Sequence, residues 1–150
     1  MPVPDLTDKG ILPEGEFDVT LRDVADRFTY NETRKRIWDG FTNFSAKEGK
    51  FLAGLPVLLD GSFTTDEPNP RDIDIVVDLV GAAPELANRG IVMHLIQRQY
   101  FKQTYLVDFC VFDAAQFSSM RNWFKDMRTE FKVSRGLLPS SKKGLLRVTL

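Results

Sequence analysis

Two aspartates at strand spacing are the first residues whose arrangement suggests chemistry. Asp72 and Asp74 open the segment Asp-Ile-Asp-Ile-Val-Val-Asp-Leu, which reads as a β-strand. Successive strand side chains point to opposite faces, so both carboxylates share one face, about 7 Å apart by the rise per residue. Ionised carboxylates this close repel each other, and a divalent cation such as Mg²⁺ or Mn²⁺ removes the repulsion. The spacing therefore predicts a metal site.

A third carboxylate, Asp108, lies within the apolar segment Leu-Val-Asp-Phe-Cys-Val-Phe. A buried aspartate is costly unless it has a partner. On a strand beside Asp72 and Asp74, it becomes a third metal ligand. Three carboxylates can hold two cations about 4 Å apart, one for the attacking oxygen and one for the leaving oxygen of a phosphoryl transfer.

A Gly-Ser pair, Gly61 and Ser62, directly follows the apolar segment that ends at Asp60. Glycine allows the backbone to approach a phosphate closely, and the N–H groups of such a turn bind anions. The serine hydroxyl adds a donor, so this turn is predicted to hold the phosphates of a nucleotide. Arg71, which precedes the aspartate pair, is a further candidate for phosphate contact.

The elements that must position these residues form a mixed α/β (α+β) domain. Residues 1–15 are predicted to be an irregular arm, and residues 1–150 a single domain. Capping residues and apolar spacing predict four helices. These helices cover Leu21–Phe28, about 32–48, 84–101, and a last one after Asp113 with an apolar stripe of Phe117, Met120, Phe124, Met127 and Phe131. Four strands are predicted at 55–60, 72–79, 104–112 and 144–150, as a small mixed sheet flanked by helices.

Composition narrows the class of protein. The formal net charge is −1, so no global field attracts nucleic acid, and non-specific nucleic-acid binding is not expected. The single cysteine, Cys110, excludes an internal disulfide and agrees with a reducing compartment. No apolar run reaches the roughly 18–20 residues of a membrane span, and residues 1–10 lack the pattern of a signal peptide. A cytoplasmic protein without a membrane partner is expected.

Several other polar residues receive a structural interpretation. Asp60 and Asp78 are predicted to be solvated strand ends, His94 a surface or hydrogen-bonded helix residue, and Cys110 a packed thiol. A basic corner of Lys142, Lys143 and Arg147 is interpreted as exposed surface, with binding of a triphosphate tail or a polyanionic acceptor as the alternative.

The chemical motif resembles that of the polymerase-beta-type nucleotidyltransferase superfamily. Gly61-Ser62, nine further residues, the Asp72-Ile73-Asp74 triplet and the isolated Asp108 carry the resemblance. The flanks, around Leu12-Pro13-Glu14-Gly15 and Lys143-Gly144-Leu145, are similar to a minimal, stand-alone bacterial nucleotidyltransferase-like family.

The resemblance implies a nucleotidyltransferase fold and a role for each motif residue. Asp72 and Asp74 would ligate two Mg²⁺ or Mn²⁺ ions, Asp108 would ligate the ion that activates the acceptor hydroxyl, and Gly61-Ser62 would hold the triphosphate. The enzyme would transfer a nucleoside monophosphate from an NTP to a hydroxyl of a small molecule, a protein or RNA, with release of pyrophosphate. A toxin–antitoxin or antiphage context is expected by the same analogy.

Two other functions stay open. In the first, a catalytically weak or inactive module binds and neutralises a partner protein such as a toxin. The acidic pair Asp66-Glu67 favours this reading, because the antitoxin-type transferases often carry an arginine shortly after the Gly-Ser pair. The other is a nucleotide sensor. The three aspartates favour the enzyme, since a pure binding module has no use for three convergent carboxylates.

Overall fold

A computed structural model describes residues 2–112 and 124–150 of the chain. Its centre is a five-stranded mixed sheet in the order β1-β5-β2-β3-β4. The strands are β1 (Glu16–Asp18), β2 (Pro56–Asp60), β3 (Ile73–Asp78), β4 (Val107–Phe112) and β5 (Leu145–Thr149). The pairs β1–β5 and β3–β4 are parallel, whereas β2 is antiparallel to both β3 and β5.

The described helices are α1 (Leu21–Phe28), α2 (Glu32–Lys47), α3 (Pro84–Val92), α4 (Arg98–Tyr105) and α5 (Thr129–Ser134). Short 3₁₀ turns cover Gly49–Leu52 and Ser62–Thr64, and a π-helical turn at Met93–Gln97 joins α3 to α4. None of the helices described is long and apolar enough to cross a membrane.

The first two helices begin where their capping residues predict. At α1, the Thr20 hydroxyl accepts the Asp23 N–H at 3.0 Å and the Asp23 carboxylate accepts the Thr20 N–H at 3.0 Å, which is the reciprocal capping box. At α2, the Asn31 side-chain oxygen accepts the Arg34 N–H at 2.8 Å. Both helices are confirmed.

The two faces of the sheet differ in character. One face carries Ile73, Ile75 and Val77 of β3 and packs in the main core with buried residues of α1, α2 and α4. The opposite face holds a smaller apolar cluster of Leu58, Val76, Cys110, Phe124 and Leu145. Since strand side chains alternate, the even-numbered aspartates of β3 and β4 lie on this second face.

The predicted fold class, a mixed sheet flanked by helices, is confirmed, and the sheet has five strands where about four were predicted. The strand that was missed is β1, which follows the N-terminal arm and pairs with β5 in the register Glu16↔Leu145. At three residues it is too short to show an alternating pattern. The arm itself contributes to the core, because Leu12 is buried.

Two predicted boundaries also need correction. The helix expected over 84–101 is interrupted by the π-helical turn and ends only at Tyr105. The strand expected from Thr104 therefore begins at Val107, after Leu106 reverses the chain in a left-handed conformation with φ of 58°.

The predicted last helix lies partly outside the described residues, since its cap at Asp113 and the stripe residues Phe117 and Met120 fall within 113–123. In the part that the structure describes, 124–125 are helical, 126–128 are not, and α5 begins at Thr129.

Candidate metal site

The parallel pairing of β3 with β4 places two of the predicted ligands side by side. Asp74 and Asp108 are register partners across the two strands, and Asp72 immediately precedes β3. Carboxylate oxygens of Asp72, Asp74 and Asp108 all lie within 4.8 Å of one another. The predicted convergence of the three aspartates is confirmed, and this donor set could hold a metal ion. Three carboxylates fit a hard divalent cation.

The Gly61-Ser62 turn lies directly against this cluster. Gly61 has a φ of 83°, a conformation that favours glycine. A Cβ at this position would lie 2.3 Å from the Asp74 Oδ2, so no side chain fits between the turn and the carboxylate. Ser62 then opens the 3₁₀ turn. The turn and the aspartates therefore form one site, as the sequence predicts.

A buried arginine of α2, Arg34, holds the turn through hydrogen bonds to backbone carbonyls. Its guanidinium donates hydrogen bonds to the carbonyls of Phe63 and Thr65, both at 2.7 Å, and its Nε donates to Glu67 at 3.0 Å. A weaker bond at 3.4 Å reaches the carbonyl of Ser62. One side chain thus donates hydrogen bonds to four carbonyls between Ser62 and Glu67.

Burial and like charge dominate the electrostatics of Asp74. Desolvation is the largest effect and, with the negative charges of Asp72, Asp60 and Asp108, raises the pKa of Asp74 to about 7. The positive charge of Lys143 partly opposes this shift. Full ionisation of Asp74 at neutral pH therefore requires additional positive charge at the site.

Asp108 has the opposite balance because two cations of α4 reach it. The Arg98 Nε donates a hydrogen bond to Oδ1 at 2.7 Å, and the Lys102 Nζ lies 3.6 Å from Oδ2. Burial pushes the pKa of Asp108 up, but Arg98 and Lys102 outweigh it and lower the pKa. Lys102 also lies 3.5 Å from Asp72 Oδ2, so it joins two of the three carboxylates.

Asp60 forms the inner edge of the site, which corrects its prediction as a solvated strand end. It is 4% exposed and lies opposite Asp74 in the β2–β3 register. The Lys143 Nζ lies 2.6 Å from its Oδ1, outside hydrogen-bond direction, so the contact is an ion pair. Lys143 is itself buried and also donates to the Gly61 carbonyl at 3.4 Å.

The basic corner predicted near the C-terminus is therefore not a free anion site. Lys143 pairs with Asp60, Lys142 lies 3.5 Å from Asp126, and Arg147 contacts Glu16 at 3.2 Å. The interpretation as exposed surface is wrong for Lys143, because the segment that leads into β5 buries this side chain beside Asp60.

Arg71 is exposed and makes no ion pair or hydrogen bond with any residue in 2–112 or 124–150. Asp78 is half-buried and accepts the Val80 N–H at 2.9 Å. The His94 ring is hydrogen-bonded, with Nδ1 at 3.2 Å from the Phe109 carbonyl, and Cys110 is packed, since burial raises the pKa of its thiol to about 11.

Besides the buried Asp60, sequence reasoning missed four cations around the site. Arg34 carried a signal, because it occupies the apolar stripe of α2 that continues through Ile37, Phe41 and Phe44. Arg98 and Lys102 are four positions apart on the helix that leads into the strand of Asp108, a spacing that places both on one side. Lys143 carried no signal, since its contact depends on how β5 pairs with β2.

Comparison with known proteins assigns the chain to a family of unknown function. The sequence profile of one family matches residues 4–149, nearly the whole chain. The chain belongs to DUF6932, a family of unknown function. No curated protein and no solved structure matches it. For this member of DUF6932, the chemistry of the site must be inferred from its own residues.

Proposed function

We propose that this DUF6932 protein is a metal-dependent nucleotidyltransferase that transfers a nucleoside monophosphate from an NTP to a hydroxyl acceptor. The observation that carries the proposal is the convergence of three carboxylates from β3 and β4 within 4.8 Å, beside a glycine turn with no room for a side chain. Metal ligands and a phosphate-sized backbone turn are the two parts that such a reaction needs side by side.

In this proposal Asp72, Asp74 and Asp108 hold two Mg²⁺ or Mn²⁺ ions, and the turn of Gly61 and Ser62 receives the triphosphate. Bound divalent ions supply Lewis-acid stabilisation and lower the pKa of an attacking hydroxyl. The acceptor oxygen would form a bond to the α-phosphorus as the bond to pyrophosphate breaks, and the hydroxyl proton would pass to solvent water. In the metal-free protein Arg98 and Lys102 outweigh burial and lower the pKa of Asp108, and a divalent cation that took their place would also lower it, which favours a ligand role over proton abstraction.

The test separates binding from chemistry by comparing aspartate variants. Asp108→Asn should reduce transfer of labelled nucleotide by about 10²–10⁴-fold while weakening nucleotide binding less than Asp72→Asn with Asp74→Asn does. The reason is that Asp108 serves the attacking oxygen, whose charge develops in the transition state. The measurement incubates the protein and candidate acceptors with labelled NTPs and Mg²⁺ or Mn²⁺, and mass spectrometry identifies the modified product.

Asp78→Asn is a matched control, since Asp78 is another aspartate of β3 that lies outside the cluster. It should leave transfer unchanged. Normal turnover by Asp108→Asn would show that Asp108 has only a structural role, and the proposed reaction would then lose one of its three ligands.

An alternative, a module that neutralises a partner protein, is favoured by one observation. Four large apolar side chains on the solvent side of α3, α4 and the π-helical turn between them are at least half exposed: Val92, Leu95, Ile96 and Tyr100. Exposed apolar surface of this kind is typical of protein contacts. If binding is the function, a protein with all three aspartates replaced by asparagine still silences the partner, whereas Leu95→Glu with Ile96→Glu does not.

A further inference from the structure

The two cations of α4 contact the same carboxylates that would hold the metal. Arg98 lies at 2.7 Å from Asp108, and Lys102 lies at 3.5 Å from Asp72 and 3.6 Å from Asp108. A positive side chain and a divalent cation that share these carboxylates repel each other. Binding of one must therefore weaken the contact of the other.

The helix that carries both cations packs against the main core, whereas the two side chains are half exposed. Phe101 and Tyr105 bury one side of α4 in the main core, and His94, one turn before Arg98, is hydrogen-bonded to the Phe109 carbonyl of β4. The side chains of Arg98 and Lys102 are each 47% exposed. Because the Asp108 and Asp72 side chains are only 15% and 19% exposed, these ion pairs can separate at little cost only when another cation replaces the lost positive charge.

A shallow, open surface depression of about 430 Å³ lies beside the two cations. Its lining consists of His94, Leu95, Ile96, Arg98, Gln99 and Lys102. This volume lies within the range of small-molecule sites, about 300–1,000 Å³. A guanidinium fork and an ammonium group are the side chains that proteins use to hold phosphate oxygens.

We propose that Arg98 and Lys102 are exchangeable counter-ions of the site: they neutralise Asp72 and Asp108, leave these carboxylates when a divalent cation binds, and then hold the phosphate groups of the nucleotide. The second half of this inference rests on the proposed function, whereas the first half concerns the metal alone. In this inference Arg98 and Lys102 take the phosphate-contact role that the sequence suggested for Arg71. Both contact the aspartates, whereas Arg71 makes no ion pair or hydrogen bond with them.

The experiment measures Mn²⁺ alone and then Mn²⁺ with a non-hydrolysable nucleoside triphosphate, by calorimetry at constant ionic strength because such pairs are screened by salt. The variant is Arg98→Gln with Lys102→Gln. It should bind Mn²⁺ alone about tenfold more tightly than the wild type, because the competing charges are gone. It should bind the Mn²⁺–nucleotide complex about tenfold less tightly than the wild type, because the phosphates lose two charged donors.

Arg89→Gln is the matched control, since Arg89 is an exposed arginine of α3 that stacks on Phe51 instead of contacting an aspartate of the site. It should behave as the wild type in both titrations. Equal Mn²⁺ affinity of the wild type and the double variant would overturn the exchange. A rise in Mn²⁺ affinity without a fall in nucleotide affinity would overturn the phosphate contact.

The outcomes also separate this inference from the proposed function. If neither protein binds Mn²⁺, both the exchange and the metal site are wrong. If the double variant gains Mn²⁺ affinity and loses nucleotide affinity, but no acceptor is ever modified, the counter-ion exchange stands and nucleotidyl transfer fails.

Discussion

The carboxyl group of Asp74 is the most strongly perturbed acid at the site, and the cause is local. It lies between Asp60 on β2 and Asp108 on β4, with Asp72 two residues away. Burial and these three negative neighbours raise the pKa of Asp74 to about 7. An aspartate in the unfolded chain has a pKa of about 4. Asp74 thus keeps a proton in the folded protein that the unfolded chain releases.

A pH dependence of stability follows at the residue scale. Between about pH 4 and pH 7 the folded state binds more protons than the unfolded state, so the free energy of unfolding falls as the pH rises through this window. In the presence of EDTA, urea unfolding from pH 5 to 7.5 should show this decline. Asp74→Asn should flatten it, whereas Asp78→Asn should keep the wild-type slope. Identical slopes for the wild type and Asp74→Asn would contradict a raised pKa of the Asp74 carboxyl in the folded protein.

The shared face of Asp72 and Asp74 could be predicted from the sequence, but the buried ion pair of Asp60 and Lys143 beside them could not. Two-residue spacing in an extended segment places Asp72 and Asp74 on the same face, whatever the topology. The buried state of Asp60 depends on β5, which pairs with β2 and delivers Lys143. A contact between residues 83 positions apart has no local signal, so Asp60 looked like an ordinary strand end.

At the scale of elements, α2 holds the Gly61-Ser62 turn in place through Arg34. The guanidinium donates to carbonyls of the loop between β2 and β3, including Phe63, Thr65 and Glu67. Arg34 also lies over the rings of Tyr30 and Phe63, at 4.8 and 5.3 Å from their centroids. The position of Gly61 and Ser62 therefore depends on a helix that precedes them in sequence.

Removal of this anchor should unfold the loop before it unfolds the sheet. Arg34→Met leaves several buried carbonyls without donors, each of which costs about 1–3 kcal/mol. We expect the free energy of unfolding to fall by roughly 3–5 kcal/mol in chemical denaturation. Hydrogen exchange should rise first in the residues between β2 and β3. Arg36→Met, an exposed arginine on the same helix, is the control. A loss as small as that of the control would show that the loop is held by other contacts.

The start of a helix could be predicted where a side chain caps it. A boundary that backbone geometry alone sets could not be predicted. The caps Thr20 and Asn31 fix the starts of α1 and α2. No residue type marks the π-helical turn at Met93–Gln97 or the left-handed Leu106, which together move the end of α4 past the predicted strand start. The extra residue in a π-helical turn changes which side of the helix later residues face, and Arg98 follows it directly.

At the scale of the whole molecule, the two faces of the sheet carry different kinds of residue. Its helix-covered face contains the main apolar core, while the other face gathers the aspartates on β2, β3 and β4. Antiparallel β2–β3 brings the Gly-Ser turn to the end of the sheet where β3 begins, and parallel β3–β4 brings Asp108 to the same end. The mixed sheet is thus what joins the turn to the carboxylates.

The fold class and the aspartate cluster were within reach of the sequence because period-two patterns and an isolated strand aspartate are local signals. The positions of the cations around the aspartates could not be predicted from the sequence. Arg34, Arg98, Lys102 and Lys143 act across elements, and each was assigned either no role or a surface role from its neighbours in sequence alone.

The most direct test of the account is the location of a bound ion and nucleotide in a crystal. Crystals grown with Mn²⁺ and a non-hydrolysable nucleoside triphosphate would be measured at the manganese absorption edge. The account predicts anomalous density among the carboxylates of Asp72, Asp74 and Asp108, with the triphosphate against Gly61-Ser62. Anomalous density elsewhere on the molecule, or none at millimolar Mn²⁺, would contradict the central claim that this aspartate cluster is a metal-dependent nucleotide site.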